Sequence, residues 1–76
     1  MTHGRRFAES LRETRRQAKS GQEELAERAG LHRTYISQLE RGLESPSLDV
    51  IVALARGLRI TPLEFVSRVF SEGGKK

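Results

Sequence analysis

The chain has 76 residues, of which 14 are Lys or Arg and 10 are Asp or Glu, so its net charge is +4. This length leaves room for one small domain and excludes a multidomain enzyme or receptor, while the lack of cysteine excludes a disulfide scaffold or a thiolate metal site. The basic balance favours a polyanionic partner such as DNA or RNA. Because no apolar run approaches the roughly 20 residues of a membrane-spanning helix, we expect a soluble cytoplasmic protein without membrane contact.

A first helix is predicted from about Arg6 to Ala18, because apolar residues recur there at intervals of four and three. The residues expected on its buried face are Phe7, Leu11, Thr14 and Ala18. Arginine and glutamate side chains occupy the opposite face, as on a helix at the surface of a domain. Residues 1–5 are expected to form a flexible arm ahead of this helix.

Two short helices follow with almost no connector between them. The first is predicted from Gln22 to Ala29 and ends at Gly30, which can adopt the left-handed conformation of a helix cap. The second is predicted from Arg33 to Arg41. Its expected buried residues are Ile36 and Leu39. Two short helices joined by a tight turn that contains glycine form a helix-turn-helix unit.

Proline and hydroxyl residues delimit two further helices. Pro46 disfavours a helix at the residue before it, and Ser47 can cap a fourth helix over the apolar stretch Leu48 to Leu58. The pair Thr61-Pro62 is typical of a helix start, and the fifth helix is predicted to run to about Phe70.

The whole pattern predicts an all-α fold in which five short helices surround one core. No stretch shows the strict two-residue alternation of a half-buried strand. We expect one compact domain over residues 6–70 and a flexible tail over residues 71–76. Leu, Ile, Val and Phe make up a quarter of the chain, which is enough apolar surface for folding with a small margin.

The segment from Gln22 to Gly42, followed by Ser45-Pro46-Ser47-Leu48, resembles the lambda-repressor-like helix-turn-helix family of the Cro/C1 or XRE type, and within it the restriction-modification controller proteins. The resemblance covers about residues 6–68. It implies a compact five-helix domain that binds double-stranded DNA sequence-specifically and regulates transcription, as a repressor in many members. It implies neither catalytic activity nor a cofactor.

The helix from Arg33 to Arg41 is expected to read bases in the major groove, because its N-terminal residues point inward when the preceding helix lies across the backbone. The expected base-reading residues are Arg33, Thr34, Ser37 and Gln38. Arg33 can donate two hydrogen bonds to guanine, Gln38 can pair with adenine, and Thr34 can contact the thymine methyl group. The alternative is an ordinary solvated helix face.

A second set of residues is expected to contact DNA phosphates, partly from side-chain chemistry and partly from the resemblance. Gln22 opens the second helix, where its amide and the free backbone N–H groups favour an anion. Tyr35 can bond a phosphate through its hydroxyl or pack its ring beside Ile36. The expected phosphate-binding residues are Gln22, His32, Tyr35, Arg41, Leu43 and Ser45.

Arg15 and Glu40 are expected to form a structural ion pair where the first helix meets the third. Arg15 borders the apolar stripe and Glu40 follows buried Leu39, and the resemblance implies an arginine and a glutamate at these positions. Gly21 stands where the family usually has Ser or Thr as a cap, so Ser20 is expected to cap the second helix through the pattern Ser20-x-x-Glu23.

The fifth helix carries more apolar surface than one core-facing stripe needs. The resemblance implies that Phe65 faces the core and that the helix forms a homodimer interface through Leu63, Val66 and Phe70. A two-fold dimer predicts a palindromic operator and two reading helices about 34 Å apart. A monomer whose last helix is simply well buried is the alternative.

Other functions stay open to different degrees. An antitoxin or protein-interaction module that also binds DNA would share this domain. Glu23, Glu24 and Glu27 form either a patch that contacts RNA polymerase or a solvated helix face. An enzyme or a metal site is not expected, because the chain has two distant histidines, one aspartate and no cysteine.

Overall fold

The computed structural model describes residues 3–71, and it describes side chains from residue 4 to residue 70. Five α-helices follow one another within these residues, with no strand among them. They are α1 (His3–Gln17), α2 (Gln22–Ala29), α3 (Arg33–Glu40), α4 (Leu48–Leu58) and α5 (Pro62–Ser71). The predicted all-α fold is confirmed. Residues 1–2 of the predicted arm and 72–76 of the predicted tail lie outside the described residues.

One apolar core joins the five helices. Its fully buried large side chains are Leu11, Leu25, Ile36, Leu39, Leu54 and Phe65. Phe7 of α1 lies against Phe65 of α5, with ring centroids 5.4 Å apart and a tilt of 56° between the rings. Such an aromatic pair adds about 0.5–1.5 kcal/mol beyond the buried area. Phe65 therefore faces the core, as expected, and α5 closes that core against α1.

Most helix ends follow the local signals in the sequence. The Ser47 hydroxyl accepts a hydrogen bond from the Val50 N–H at 3.2 Å, and the Thr61 hydroxyl accepts one from the Glu64 N–H at 3.0 Å. Gly30 takes the left-handed conformation with φ +72° at the end of α2. These three predicted caps are confirmed.

The start of α1 differs from the prediction. The helix begins at His3 rather than at Arg6, so residues 3–5 form its first turn and are not an arm. Neither Gly4 nor Arg5 prevents the helix formed by the residues after them from extending back to His3. Arg5 also lies one turn before Glu9, with 4.0 Å between Nε and Oε2, which favours the helical conformation slightly.

Two other helix ends fall one residue earlier than predicted. α1 ends at Gln17, and Ala18 is exposed instead of buried, because Lys19 takes a left-handed conformation with φ +56° and turns the chain away. α3 ends at Glu40, with Arg41 as its C-terminal cap.

The axes of α2 and α4 approach closely at Gly57. A Cβ atom at this position would lie 2.9 Å from Leu25 Cδ1 and 3.4 Å from the backbone nitrogen of Ala29. Both neighbours belong to the buried face of α2. The missing side chain of Gly57 therefore sets how deeply α2 can sit on α4.

Candidate nucleic-acid interface

The helix-turn-helix unit consists of α2, a turn over residues 30–32, and α3. Gly30 supplies the positive φ of the turn, and the Leu31 N–H donates to the Ala26 carbonyl at 2.8 Å. Leu25 and Ile36 are fully buried on the facing sides of the two helices. The inner face of α3 is thus held by the core, and its outer face is left for other contacts.

That outer face carries the four residues predicted to read bases. Arg33 and Thr34 are exposed, and Ser37 and Gln38 are half-buried. Steps of one, three and four residues place them on one side of a helix. The structure brings the four side chains together at the N-terminal and central part of α3, and their base contacts stay predictions.

Arg15 and Glu40 form a bidentate ion pair between α1 and α3. Arg15 Nε lies 2.5 Å from Glu40 Oε2, and Arg15 Nη2 lies 2.9 Å from Glu40 Oε1. Their side chains are 15% and 4% exposed, so the pair is largely shielded from water. Arg15 Nη1 also donates to the Ser20 carbonyl at 3.0 Å, which ties the entry of α2 to the same cation.

The pKa of Arg15 reflects this pairing. The hydrogen bond to Glu40 raises it above its ordinary value, although burial acts in the opposite direction. A cation whose pKa is raised on folding contributes its stability at every lower pH and loses it only as the pH rises through the folded value. The arginine side of this pair therefore stays charged until the solution is strongly alkaline.

Arg12 is a structural residue that the sequence analysis missed. Its Nη2 donates to the backbone carbonyl of Glu40 at 2.8 Å, at the end of α3 where carbonyl groups have no partner within the helix. Arg12 stands three residues before Arg15, so the two guanidinium groups share one side of α1. That spacing is the signal by which it could have been found.

Gln22 does not present its amide to solvent in the way the phosphate prediction assumed. Its Nε2 donates to Glu40 Oε1 at 3.0 Å, and its Oε1 accepts from Arg33 Nη1 at 3.3 Å. The side chain is half-buried between these two groups. One amide N–H is left for a phosphate, and the oxygen is turned toward a predicted base-reading residue.

The N-terminus of α2 has no side-chain cap. Gly21 is the N-cap residue, in an extended conformation with φ −76°, and it cannot cap the N–H groups of the first turn. The predicted Ser20 cap is wrong, because Ser20 lies one residue before the N-cap position. Its side chain is buried, and its hydroxyl lies 3.4 Å from Glu24 Oε1. A shallow open pocket lies beside this helix end. It is lined by Gly21, Gln22, Glu23 and Arg33.

The other predicted phosphate ligands lie at both ends of α3. His32, Arg41 and Ser45 are exposed, whereas the Tyr35 ring is half-buried and packs against the core. Leu43 is 61% exposed, but its N–H already donates to the Gln38 carbonyl at 2.9 Å. The backbone N–H of Leu43 is thus bound within the protein, which argues against it as a phosphate donor.

The three acidic residues of α2 differ in their contacts. Glu24 accepts a hydrogen bond from Arg28 at 2.8 Å, in an exposed pair one turn apart. Glu23 and Glu27 are also exposed. Glu23 lies in the first turn of α2, beside its uncapped end, and Glu27 lies in the last turn.

The outer face of α5 is apolar where the dimer interface was predicted. Leu63 is 77% exposed and Phe70 is 54% exposed, while Val66 is half-buried. Leu48, at the start of α4, is 74% exposed. Beside them runs an apolar groove between α1, α4 and α5. Its apolar lining includes Phe7, Pro46, Ile51, Val66, Val69 and Phe70.

Arg68 links α5 to α1 and was also missed in the sequence. Its Nη1 donates to Gln17 Oε1 at 3.1 Å and lies 3.4 Å from Thr14 Oγ1, and its Nη2 donates to Glu64 Oε2 at 2.9 Å. The Glu64 contact could have been found from the spacing of four residues. The contacts to α1 depend on the packing of the two helices.

The residues that the structure describes contain neither a metal-binding cluster nor a helix that could span a membrane. No group of three His, Cys, Asp or Glu residues comes together there to hold a metal ion. Over the same residues, every helix is too short or too polar to traverse a bilayer.

Comparisons with known proteins match this arrangement. A helix-turn-helix family model matches residues 11–65. The control protein C.BamHI of Bacillus amyloliquefaciens is 38% identical over 61 residues, which are 79% of this chain and 75% of that protein. A helix-turn-helix-type transcriptional regulator of Mycobacterium tuberculosis is 46% identical over 55 residues, or 72% of this chain, and the matched part is 37% of that protein's length.

A solved structure is similar in both sequence and fold. It is the crystal structure of the restriction-modification controller protein C.AhdI from Aeromonas hydrophila, with 40% sequence identity and a TM-score of 0.78. The alignment covers 82% of this chain and 94% of that chain. The chain thus belongs to the lambda-repressor-like, XRE-type helix-turn-helix family of DNA-binding transcriptional regulators.

Proposed function

We propose that this protein regulates transcription by binding a specific sequence in double-stranded DNA as a homodimer, with α3 in the major groove. The observation that carries this proposal is the contrast between the two faces of α3. Ile36 and Leu39 fix one face in the core, and the other face presents polar side chains outward. A helix supported in this way can enter a groove without losing its position.

The side chains of the outer face have the chemistry of base recognition. Arg33 can donate two parallel hydrogen bonds to guanine, and Gln38 can both donate to and accept from adenine. Thr34 offers a methyl group to thymine, and Ser37 a small hydroxyl at the centre of the surface. Each good bidentate pair discriminates against a wrong base by about 1–3 kcal/mol.

Phosphate contacts would surround this surface. The uncapped N–H groups of α2 and the remaining amide N–H of Gln22 would face one segment of the DNA backbone, because a helix N-terminus favours anions. The candidates for further contacts are His32 before α3, the hydroxyl of Tyr35 in its first turn, and Arg41 and Ser45 after it. These contacts would position α3 without reading sequence.

Two copies of the chain would account for the exposed apolar face of α5. A net charge of +4 provides only modest non-specific affinity for DNA. Binding to two half-sites at once would strengthen it. Leu63, Val66 and Phe70 on each copy would be buried across a two-fold axis, and the operator would then be roughly palindromic.

The dimer surface can be tested by sedimentation at micromolar concentrations. Leu63→Glu places a charge in the proposed interface and is expected to raise the dimer dissociation constant at least about tenfold, because an unpaired buried charge is costly. Leu43→Glu removes a similarly exposed leucine outside α5 and is expected to leave the sedimentation unchanged. A wild-type protein that sediments as a monomer at every concentration would contradict the dimer.

Regulation could extend to RNA polymerase through the acidic residues of α2. Glu23 is exposed in the first turn of α2, at the end that would lie on the DNA backbone, and Glu27 is exposed in its last turn. A regulator bound to its operator in the cytoplasm would then lie in the nucleoid, next to the transcription machinery. Glu27→Lys should change transcription from the bound promoter more than it changes DNA affinity.

Selection from a pool of random duplexes tests the proposed function as a whole. The expected result is one enriched motif with two inverted half-sites whose centres are about 10 base pairs apart. Enrichment of no common sequence, or of a single-stranded ligand in a parallel pool, would refute it.

A further inference from the structure

A basic cleft lies between the N-terminal half of α1 and the C-terminal end of α3. The charged residues of its lining are Arg5, Glu9, Arg12, Glu40 and Arg41. Both carboxylates are matched by other arginines, since Glu9 pairs with Arg5 at 4.0 Å and Glu40 pairs with Arg15. Within residues 4–70, neither Arg12 nor Arg41 forms an ion pair. Two positive charges of the cleft are therefore unmatched by these residues.

Arg12 is held in place by the end of α3. Its Nη2 donates to the Glu40 carbonyl at 2.8 Å, and the side chain is half-buried. A guanidinium group has five N–H donors, so this bond leaves others for a ligand. Because the side chain is already restricted, it loses less rotamer freedom on binding than an exposed arginine does.

Arg41 places a second guanidinium group at the same cleft. It is the C-terminal cap of α3, and its side chain is exposed. Since it follows Ser37 by four residues and Thr34 by seven, it lies on the side of α3 that carries the residues predicted to read bases. The outer face of α3 therefore continues into the basic cleft.

The dimensions of α3 place this cleft at the rim of a DNA groove. α3 has eight residues and is therefore about 12 Å long. The major groove is about 8.5 Å deep. When the N-terminal residues of the helix lie against the base edges, its C-terminal end comes level with the sugar-phosphate backbone.

We propose that Arg12 and Arg41 together bind one phosphate of the DNA backbone, so that α1 takes part in anchoring the protein to its operator. This inference rests on the proposed function, because it assumes that α3 enters the major groove. Phosphate oxygens suit the site, since a guanidinium fork can donate two hydrogen bonds to them. Such a contact positions the protein without reading sequence.

The test replaces single phosphates of the selected operator by neutral methylphosphonates, one position at a time. Sensitivity is the ratio of affinities for the unmodified and the replaced duplex. At one position near the rim of the groove, the wild type is expected to lose about tenfold in affinity, because charge-assisted hydrogen bonds are removed.

Variants of the two arginines identify which phosphate the cleft binds. Arg12→Gln and Arg41→Gln should each reduce the sensitivity at that one position to about threefold, since one guanidinium group remains. The double variant should reduce it to less than about twofold. All three should keep the wild-type preference between the operator and duplexes with one changed base pair, because a phosphate contact carries no sequence information.

A matched control removes the same charge elsewhere. Arg56→Gln replaces an exposed arginine in the last turn of α4, which does not line the cleft, and should keep the full sensitivity at that position. Circular dichroism establishes that each variant is folded. If Arg12→Gln does not fold, isotope-labelled wild type replaces it. The Arg12 Nε–H resonance should then shift more with the unmodified operator than with the replaced duplex.

Three results would overturn the proposal. They are a double variant with wild-type sensitivity at every position, loss of sensitivity at different positions for the two arginines, and an Arg12 resonance that shifts equally with both duplexes. The first result would leave the cleft to an acidic protein surface instead of DNA. The proposed function would fail differently, since the wild type would then select no sequence from the random pool.

Discussion

The two helices of the helix-turn-helix unit are held on the rest of the domain by different kinds of contact. α3 meets α1 through charge, with Arg15 and Arg12 of α1 both bonded to Glu40. α2 meets α4 through shape, where Gly57 lets Leu25 come so close that a Cβ atom at Gly57 would lie 2.9 Å from Leu25 Cδ1. We refer to these as the polar junction and the apolar junction.

The difference indicates what each helix needs for its role. An apolar junction sets the distance between two helices, because volume cannot be added there without displacing the core. A polar junction also sets orientation, since a bidentate arginine pair restricts rotation as well as distance. α3, which carries the proposed reading face, is held by the more directional of the two.

Removing the carboxylate of the polar junction should have the largest effect on stability. Glu40→Ala leaves Arg15 shielded from water without its partner, which is expected to lower the free energy of unfolding by about 3–5 kcal/mol. Urea denaturation of the wild type and the variant measures the difference. Glu24→Ala, which breaks the exposed pair with Arg28, is the matched control and should lose under about 1 kcal/mol. Equal stability of Glu40→Ala and the wild type would show that the pair has no structural role.

Adding volume at the apolar junction should have the next largest effect. Gly57→Val pushes against Leu25 and the backbone of Ala29, and is expected to destabilise the domain by about 1–3 kcal/mol. Gly57→Ala should lose less, because one methyl group strains the junction less and alanine favours a helix. A melting temperature for Gly57→Val at or above that of the wild type would contradict the close approach.

The smallest expected effect on stability is a gain rather than a loss, and it concerns a residue outside both junctions. Arg59 caps α4 in the left-handed conformation with φ +64°, which strains a residue that has a Cβ atom. Arg59→Gly is expected to stabilise the domain by about 0.5–1 kcal/mol, seen as a higher melting temperature. Arg56→Gly, within α4, is the control and should destabilise it. A destabilised Arg59→Gly would mean that the arginine side chain makes contacts that outweigh the strain.

The sequence was sufficient to predict the helices because their ends have local causes. Gly30, Ser47 and Thr61 act through their own backbone or hydroxyl groups, so their roles are visible in a few neighbouring residues. The start of α1 was predicted too late, since Gly4 weakens a helix without ending it and Arg5 favours one. Ser20 was assigned as a cap from its spacing, although packing buries it beside Glu24.

Contacts between helices were only partly predictable. The pair of Arg15 and Glu40 was expected because the resemblance pointed to both positions. The tight packing at Gly57 had no signal in the sequence, because glycine near the end of a helix is also common as part of a cap. The bonds of Gln22 to Glu40 and Arg33 depend on how α2 packs against α3, which residue spacing alone does not show.

The most direct test of the account compares Arg33→Ala with the wild type on the selected operator and on random duplex DNA at one salt concentration. If α3 reads sequence through Arg33, the variant should lose about 1–3 kcal/mol of binding free energy on the operator and little on random DNA. An equal loss on both would assign Arg33 to a phosphate and contradict its role as a base-reading residue.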